Sequence, residues 1–237
     1  MGPNIKIGKR LKRSRNNIPI YYYIAPQEWA WRIGNNSTTN LINFSDKIFA
    51  IFKQEANFYR RRGGNVFWVG HPMIDLTKKL PLKKDARTIL NLRPDQNIIL
   101  LMPASRPQEL RYILPTFMKS AKKLQQKYPS LVVYIPSCRD AFDEIFKKAF
   151  RKYQVKGLVI SQKDSAKLKP YIYSLTKIAF CKSGTVNMEL ALYGIPQIVG
   201  YRVSRITAFI AKKILNFKVR FISPVNLLVN KLIIPEF

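Results

Sequence analysis

Two short stretches carry residues of the types, and at the spacing, that phosphate chemistry needs. In Phe180-Cys181-Lys182-Ser183-Gly184-Thr185-Val186-Asn187-Met188-Glu189, an apolar run passes through Ser183-Gly184-Thr185 into helix formers. Such a turn offers backbone N–H groups and two hydroxyls at a helix N-terminus, where the helix dipole and unpaired donors attract an anion. Glu189 falls one helical turn beyond Thr185, on the face where its carboxylate could accept hydrogen bonds from a ribose. A plain capping arrangement, with Ser183 or Thr185 as N-cap and Glu189 solvated, fits the same spacing. The second stretch, Pro103-Ala104-Ser105-Arg106-Pro107-Gln108-Glu109, follows the apolar run 98–102. The donor fork of Arg106 matches phosphate oxygens, and an ion pair with Glu109 is open to it as well.

Both stretches need strands to hold them. Apolar runs at 98–102, 131–135, 157–160, 178–180 and 198–199 read as strands, with helices at 85–90, 110–128, 140–153, 166–174 and 186–193 between or before them. Gly194 stops the last of these helices and Pro196 blocks its continuation. This order predicts a doubly wound parallel α/β sheet, whose ligand sits beyond the carboxyl ends of the strands. Upstream, strands are expected at 18–24, 47–52 and 66–69. Helices are expected up to residue 44 and over 53–62, the second closed by Gly63-Gly64.

Gly70-His71-Pro72 marks a boundary between two lobes, with His71 in a turn or facing the cleft between them. Trp29 and Trp31 fit a core, a stacking platform or a cleft wall. Residues 1–20 read as basic and irregular. At 204–217 an apolar stripe through Ile206, Phe209, Ile210, Ile214 and Phe217 is flanked by cations; it fits an anionic membrane surface or the chain's own sheet. Residues 223–228 read as a loop with Asn226 at its centre.

Composition narrows the partners. The 237 residues hold 42 Lys and Arg against 13 Asp and Glu, a net charge of +29, which draws nucleic acid, anionic lipid or phosphorylated substrates. No RNA-binding signature accompanies that charge, and no specific nucleic-acid partner is expected. Cys138 and Cys181 lie in or beside apolar runs without CxxC spacing and read as buried small hydrophobes. A single histidine excludes a His-based metal cluster and weakens any Ser-His-Asp triad. No apolar run is long enough to span a bilayer, so the chain reads as soluble or peripheral.

Six blocks occur in a specific order: Tyr-Ile-Ala-Pro-Gln-Glu-Trp-Ala-Trp (23–31), Gly-His-Pro-Met-Ile-Asp (70–75), Met-Pro-Ala-Ser-Arg-Pro-Gln-Glu-Leu (102–110), Ser-Gly-Thr-Val-Asn-Met-Glu (183–189), Val-Gly-Tyr-Arg (199–202) and Ser-Pro-Val-Asn-Leu-Leu (223–228). Together they closely resemble the lipid-A-disaccharide synthase family. The Pro-Gln-Glu-Trp and Pro-Ala-Ser-Arg variants resemble its cyanobacterial and plastid branch most.

The resemblance implies an inverting glycosyltransferase of the B fold, with two Rossmann-like lobes and no metal or other cofactor. Its reaction joins UDP-diacylglucosamine to diacylglucosamine 1-phosphate, releasing UDP, at the cytoplasmic face of the inner membrane. It further implies that 71–237 is the nucleotide-sugar lobe and 21–70 the last part of the acceptor lobe. Ser105 and Arg106 would hold the diphosphate beside Glu109, with Arg106 stabilising charge on departing UDP. Ser183, Gly184 and Thr185 would assist from the helix N-terminus and Glu189 would take the ribose. Tyr201, Arg202 and Asn226 would complete the pocket.

Three features depart from the family pattern. Residues 1–20 hold neither the family's glycine-rich acceptor loop nor its acidic base. Val186-Asn187 replaces the usual small residue followed by Thr. The sequence reads as a piece lacking both ends, which leaves a non-catalytic UDP-sugar or partner binder as the alternative. Expected partners are thus a UDP-sugar, an acylated glucosamine phosphate, an anionic membrane surface, and either a second copy or a chain supplying the missing lobe.

Overall fold

The computed structural model describes residues 2–14, 18–30, 36–202 and 220–237. Trp31 and the 204–217 stripe lie outside the described residues. The chain divides into two compact units, Met1–Leu76 and Thr77–Phe237.

In the first unit, β1 (Tyr21–Tyr23), β2 (Lys47–Ala50) and β3 (Val66–Trp68) form a parallel sheet in that order. Helices α1 (Gly2–Arg13), α2 (Asn36–Phe44), α3 (Lys53–Arg60) and α4 (Pro72–Leu76) accompany it. Alternation along the strands turns Tyr22, Ile48 and Val66 into a core with Leu41, Phe44, Ala56 and Tyr59. The opposite face carries Tyr21 and Phe67, with the Lys47 ammonium over both rings.

The N-terminal stretch is helical, not irregular. Ile5 packs against the first-unit core, and α1 comes so close to α2 that a Cβ on Gly8 would fall 2.4 Å from the Phe44 ring. Lys12 closes the contact with an ion pair to Asp46 at 2.8 Å. Cations Arg10, Lys12 and Arg13 in the last turn complement the helix dipole. The helix thus depends on a tertiary contact that charge patterning alone conceals.

The second unit opens with α5 (Lys83–Ile89) and continues as β4 (Asn97–Met102), α6 (Pro107–Lys127), β5 (Leu131–Pro136), α7 (Asp140–Tyr153), β6 (Gly157–Ile160), α8 (Gln162–Leu175), β7 (Thr176–Lys182), α9 (Thr185–Leu192), β8 (Gln197–Gly200) and α10 (Pro224–Val229). Its five strands are all parallel in the order β6-β5-β4-β7-β8. Ile99 and Leu101 face one apolar layer with Leu110, Phe117 and Phe146. Ile98 and Leu100 face another with Ile172, Leu190 and Val225. A strand buried on both faces reads as an unbroken apolar run, as 98–102 does.

Several boundaries move. Pro107 pre-sets the first turn of α6, so Gln108 and Glu109 belong to a helix instead of a loop. Ser161 accepts the Asp164 N–H and starts α8 earlier than the pattern suggests. Where a loop is expected over 223–228, helix α10 runs from Pro224 to Val229. Ser223 caps it through the Val225 N–H, and Pro224 occupies its first position. Gly194 ends α9 with a φ of +64°, a conformation that favours glycine.

Candidate functional site

The strand order reverses between β4 and β7. From β4 the chain runs outward through α6 to β5; from β7 it runs the other way through α9 to β8. Helices α6 and α9 pack on opposite faces, so the loops after β4 and β7 separate and leave a crevice at the carboxyl end of the sheet. A cavity of about 200 Å³ occupies it. Ser105 and Glu109 line one side; Lys182, Ser183, Gly184 and Thr185 line the other; Pro136, the last residue of β5, and Cys138 beyond it close the end.

The turn is anchored from beneath. Gly184 donates its N–H to Asn187 Oδ1 at 2.8 Å. Fully buried Asn187 also donates Nδ2–H to Cys181 Sγ at 3.0 Å and to Gln197 Oε1 at 3.1 Å. Gln197 returns a bond to the Asn187 carbonyl at 2.9 Å. Burial pushes the Cys181 thiol up to about 12, so it is a neutral member of this network. Asn187, the departure from the family pattern, therefore ties β7, α9 and β8 together under the turn. Ser183 spends its hydroxyl proton on the Ile222 carbonyl at 2.6 Å. Its lone pairs remain for a donor, and Thr185 and Val186, whose N–H groups at the start of α9 have no intrahelical acceptor, line the cavity.

Arg106, the N-cap of α6, stands outside this lining with its side chain 78% exposed and Nη1 3.9 Å from Glu109 Oε1. Lys182 reaches the same oxygen at 2.5 Å. Residue type alone does not mark Lys182 as a site residue. Its position immediately ahead of Ser183, at the end of a buried strand, is the signal that could have found it. Of the two cysteines expected to be buried, Cys181 is buried and Cys138 is exposed.

Four further candidates lie elsewhere. Glu189 pairs with Lys169 at 2.6 Å, and burial with the nearby Glu189 charge pushes the Tyr173 phenol up. Tyr201 and Arg202 line a second cavity of about 440 Å³ with Ile113, Phe117 and Phe237, and Arg202 Nη1 donates to the Thr116 hydroxyl at 3.1 Å. Asn226 is fully buried. Its amide donates to the Ile234 carbonyl and Glu236, and its oxygen accepts the Ile233 and Ile234 N–H groups. All its hydrogen-bonding capacity is committed to chain closure, so it has none for a ligand.

In the first unit, His71 Nδ1 accepts the Met73 N–H at 3.1 Å and the ring packs against Phe52, which is the turn role. Trp29 is half-buried, and its ring packs edge-on against Phe52. Among the described residues no group of His, Cys, Asp or Glu is arranged to hold a metal ion.

The family model for lipid-A-disaccharide synthetase matches residues 1–237. The chain belongs to the lipid-A-disaccharide synthetase family. It is 50% identical over 236 residues to the lipid-A-disaccharide synthase of Prochlorococcus marinus (strain MIT 9313), covering 100% of this chain and 60% of that protein. With that of Gloeothece citriformis (strain PCC 7424) the identity is 40% over 235 residues, again over 60% of the relative. The chain thus spans about 60% of the length of these relatives.

Among solved structures, the UDP-GlcNAc 2-epimerase of Neisseria meningitidis bound to UDP-GlcNAc matches with a TM-score of 0.53 at 17% identity, over 87% of this chain and 58% of that one. A putative UDP-N-acetylglucosamine 2-epimerase from Listeria monocytogenes matches with a TM-score of 0.54 at 13% identity, over 97% of this chain and 68% of that one. At such identities the likeness is one of fold. The B-type α/β class read for this lipid-A-disaccharide synthetase family member stands.

Proposed function

We propose that this chain carries the donor-binding part of a lipid-A-disaccharide synthase. It binds UDP-diacylglucosamine for transfer of the sugar to diacylglucosamine 1-phosphate, with release of UDP. The observation that supports this most is the cavity at the strand-order reversal, framed by a helix N-terminus and the Ser105–Glu109 stretch in a chain of this family. Residues 71–237 form the nucleotide-sugar lobe in this reading, and 21–70 belong to the acceptor lobe. Ser105 and the first turn of α9 hold the diphosphate. Arg106 swings from its exposed position to neutralise the charge that develops on UDP as the anomeric bond breaks. Glu189 exchanges Lys169 for the ribose hydroxyls.

The partners follow from the substrates. Acylated sugars stay in a bilayer, so the protein works at an anionic membrane surface. Among the described residues no helix is long and apolar enough to cross a membrane. Helix α1 exposes Ile7 and Leu11 beside Lys6, Arg10 and Arg13, a combination suited to the lipid interface.

Calorimetric titration with UDP tests the donor site. Wild type should bind, and Arg106→Ala should lose about 1.5–3 kcal/mol, the worth of a charge-assisted contact. Equal, weak heats from both proteins would refute it.

A further inference from the structure

The ion pair inside the cavity points beyond this assignment. Lys182 closes β7 one residue after Cys181, whose register partner is Met102 at the end of β4. Glu109 is the third residue of α6. Their side chains are 23% and 26% exposed, and both line the crevice. Glu109 Oε1 therefore stands between two cations, Lys182 at 2.5 Å within the cavity and Arg106 at 3.9 Å at its edge.

A partly buried ammonium needs a counter-charge when the cavity holds no ligand, and Glu109 supplies one. A diphosphate brings more negative charge into the same space. Repulsion between it and the carboxylate favours transfer of the lysine from Glu109 to the phosphate. A monophosphate engaged by the α9 turn alone gives Lys182 less reason to leave. We propose that Lys182 is a second phosphate-binding residue and that Glu109 is its stand-in anion. Together they make the cavity prefer a nucleoside diphosphate to a monophosphate. The proposal rests on the donor-site reading above and adds a residue which that reading does not use.

The same two residues would also serve as a simple staple between α6 and β7. The two roles differ in sign. If the pair is a staple, Lys182→Met and Glu109→Gln both weaken nucleotide binding, in step with lost stability. If Glu109 is a stand-in, the two substitutions move UDP affinity in opposite directions.

The test is titration of the full chain with UDP and UMP, with thermal midpoints recorded for each variant. Lys182→Met should weaken UDP binding about tenfold or more and UMP binding about threefold or less, and Lys182→Arg should restore most of the UDP affinity. Glu109→Gln should strengthen UDP binding about threefold. UDP affinity within about twofold of wild type for Lys182→Met, or a fall for Glu109→Gln parallel to that of Lys182→Met, overturns the proposal. Absence of UDP binding by wild type removes the donor-site reading and this one together. UDP binding indifferent to Lys182 removes only this one.

Discussion

The Lys169 ammonium lies 2.6 Å from a carboxylate oxygen of Glu189, the residue to which the family resemblance assigns the ribose. The two come from neighbouring helices, α8 and α9, on the face of the sheet opposite α6. A ribose at Glu189 would therefore have to displace Lys169 from the carboxylate.

Separating these two groups has a defined outcome. The side chains are 38% and 20% exposed, so solvent screening limits the pair to about 1 kcal/mol or less. Lys169→Met should change stability by no more than that and leave UDP affinity equal or higher. Glu189→Ala should weaken UDP binding about tenfold and scarcely affect 2′,3′-dideoxy-UDP. Equal losses for both nucleotides would remove the ribose role.

Asn226→Ala should act through folding. It strips partners from the Ile233 and Ile234 N–H groups and from the Ile234 carbonyl, at a cost of about 2–4 kcal/mol in urea denaturation. UDP affinity of the folded protein should stay within about twofold of wild type. A tenfold loss of affinity at unchanged stability would return Asn226 to the ligand site.

Glu55 gives a pH signature. It is fully buried, one oxygen accepts the Ile51 and Phe52 N–H groups, and burial raises its pKa. A carboxyl raised on folding holds its proton more tightly in the native state. Its stabilisation is complete below the ordinary carboxylate value and is lost as pH rises through the raised one. His71, lowered by burial, acts in the opposite sense and loses its contribution as pH falls below its ordinary value. Comparing wild type with Glu55→Gln cancels His71. Urea midpoints should favour wild type over the variant more at pH 5 than at pH 8; a pH-independent gap would contradict this.

Membrane association has a charge-neutral test. Ile7→Ser with Leu11→Ser keeps every cation of α1 and removes its exposed apolar pair. Co-sedimentation with anionic phosphatidylglycerol vesicles should fall severalfold, while circular dichroism stays unchanged. Binding unchanged by the substitutions would leave bulk charge as the whole cause.

The second unit was largely legible in the sequence because its strands are buried on both faces and its helices are sharply punctuated. Residues 140–153 and 157–160 match α7 and β6 residue for residue. Legibility failed where a tertiary contact decides. Helix α1 depends on the fit of Gly8 against Phe44. The burial of Asn226 depends on chain from Ile233 to Glu236 returning to α10. Within the site, the turn and the Ser105–Glu109 stretch were readable from residue type. That Tyr201 and Arg202 open onto another cavity follows from β8 lying beyond β7, next to α6 residues such as Phe117 and Thr116. The pairing of Lys182 with Glu109 is not legible in the sequence because the two lie 73 residues apart.

Cysteine protection tests most directly whether the cavity between β4 and β7 is where UDP binds. Cys138 is exposed and lines that cavity, whereas Cys181 is buried with its thiol pushed up to about 12. At pH 8 a thiol reagent such as iodoacetamide should therefore modify Cys138 and spare Cys181. Saturating UDP should slow that modification about tenfold, with a midpoint equal to the calorimetric Kd and loss of protection in Arg106→Ala at the same UDP concentration. An unchanged Cys138 rate in protein that calorimetry shows to be saturated with UDP would place the nucleotide elsewhere and contradict the donor site.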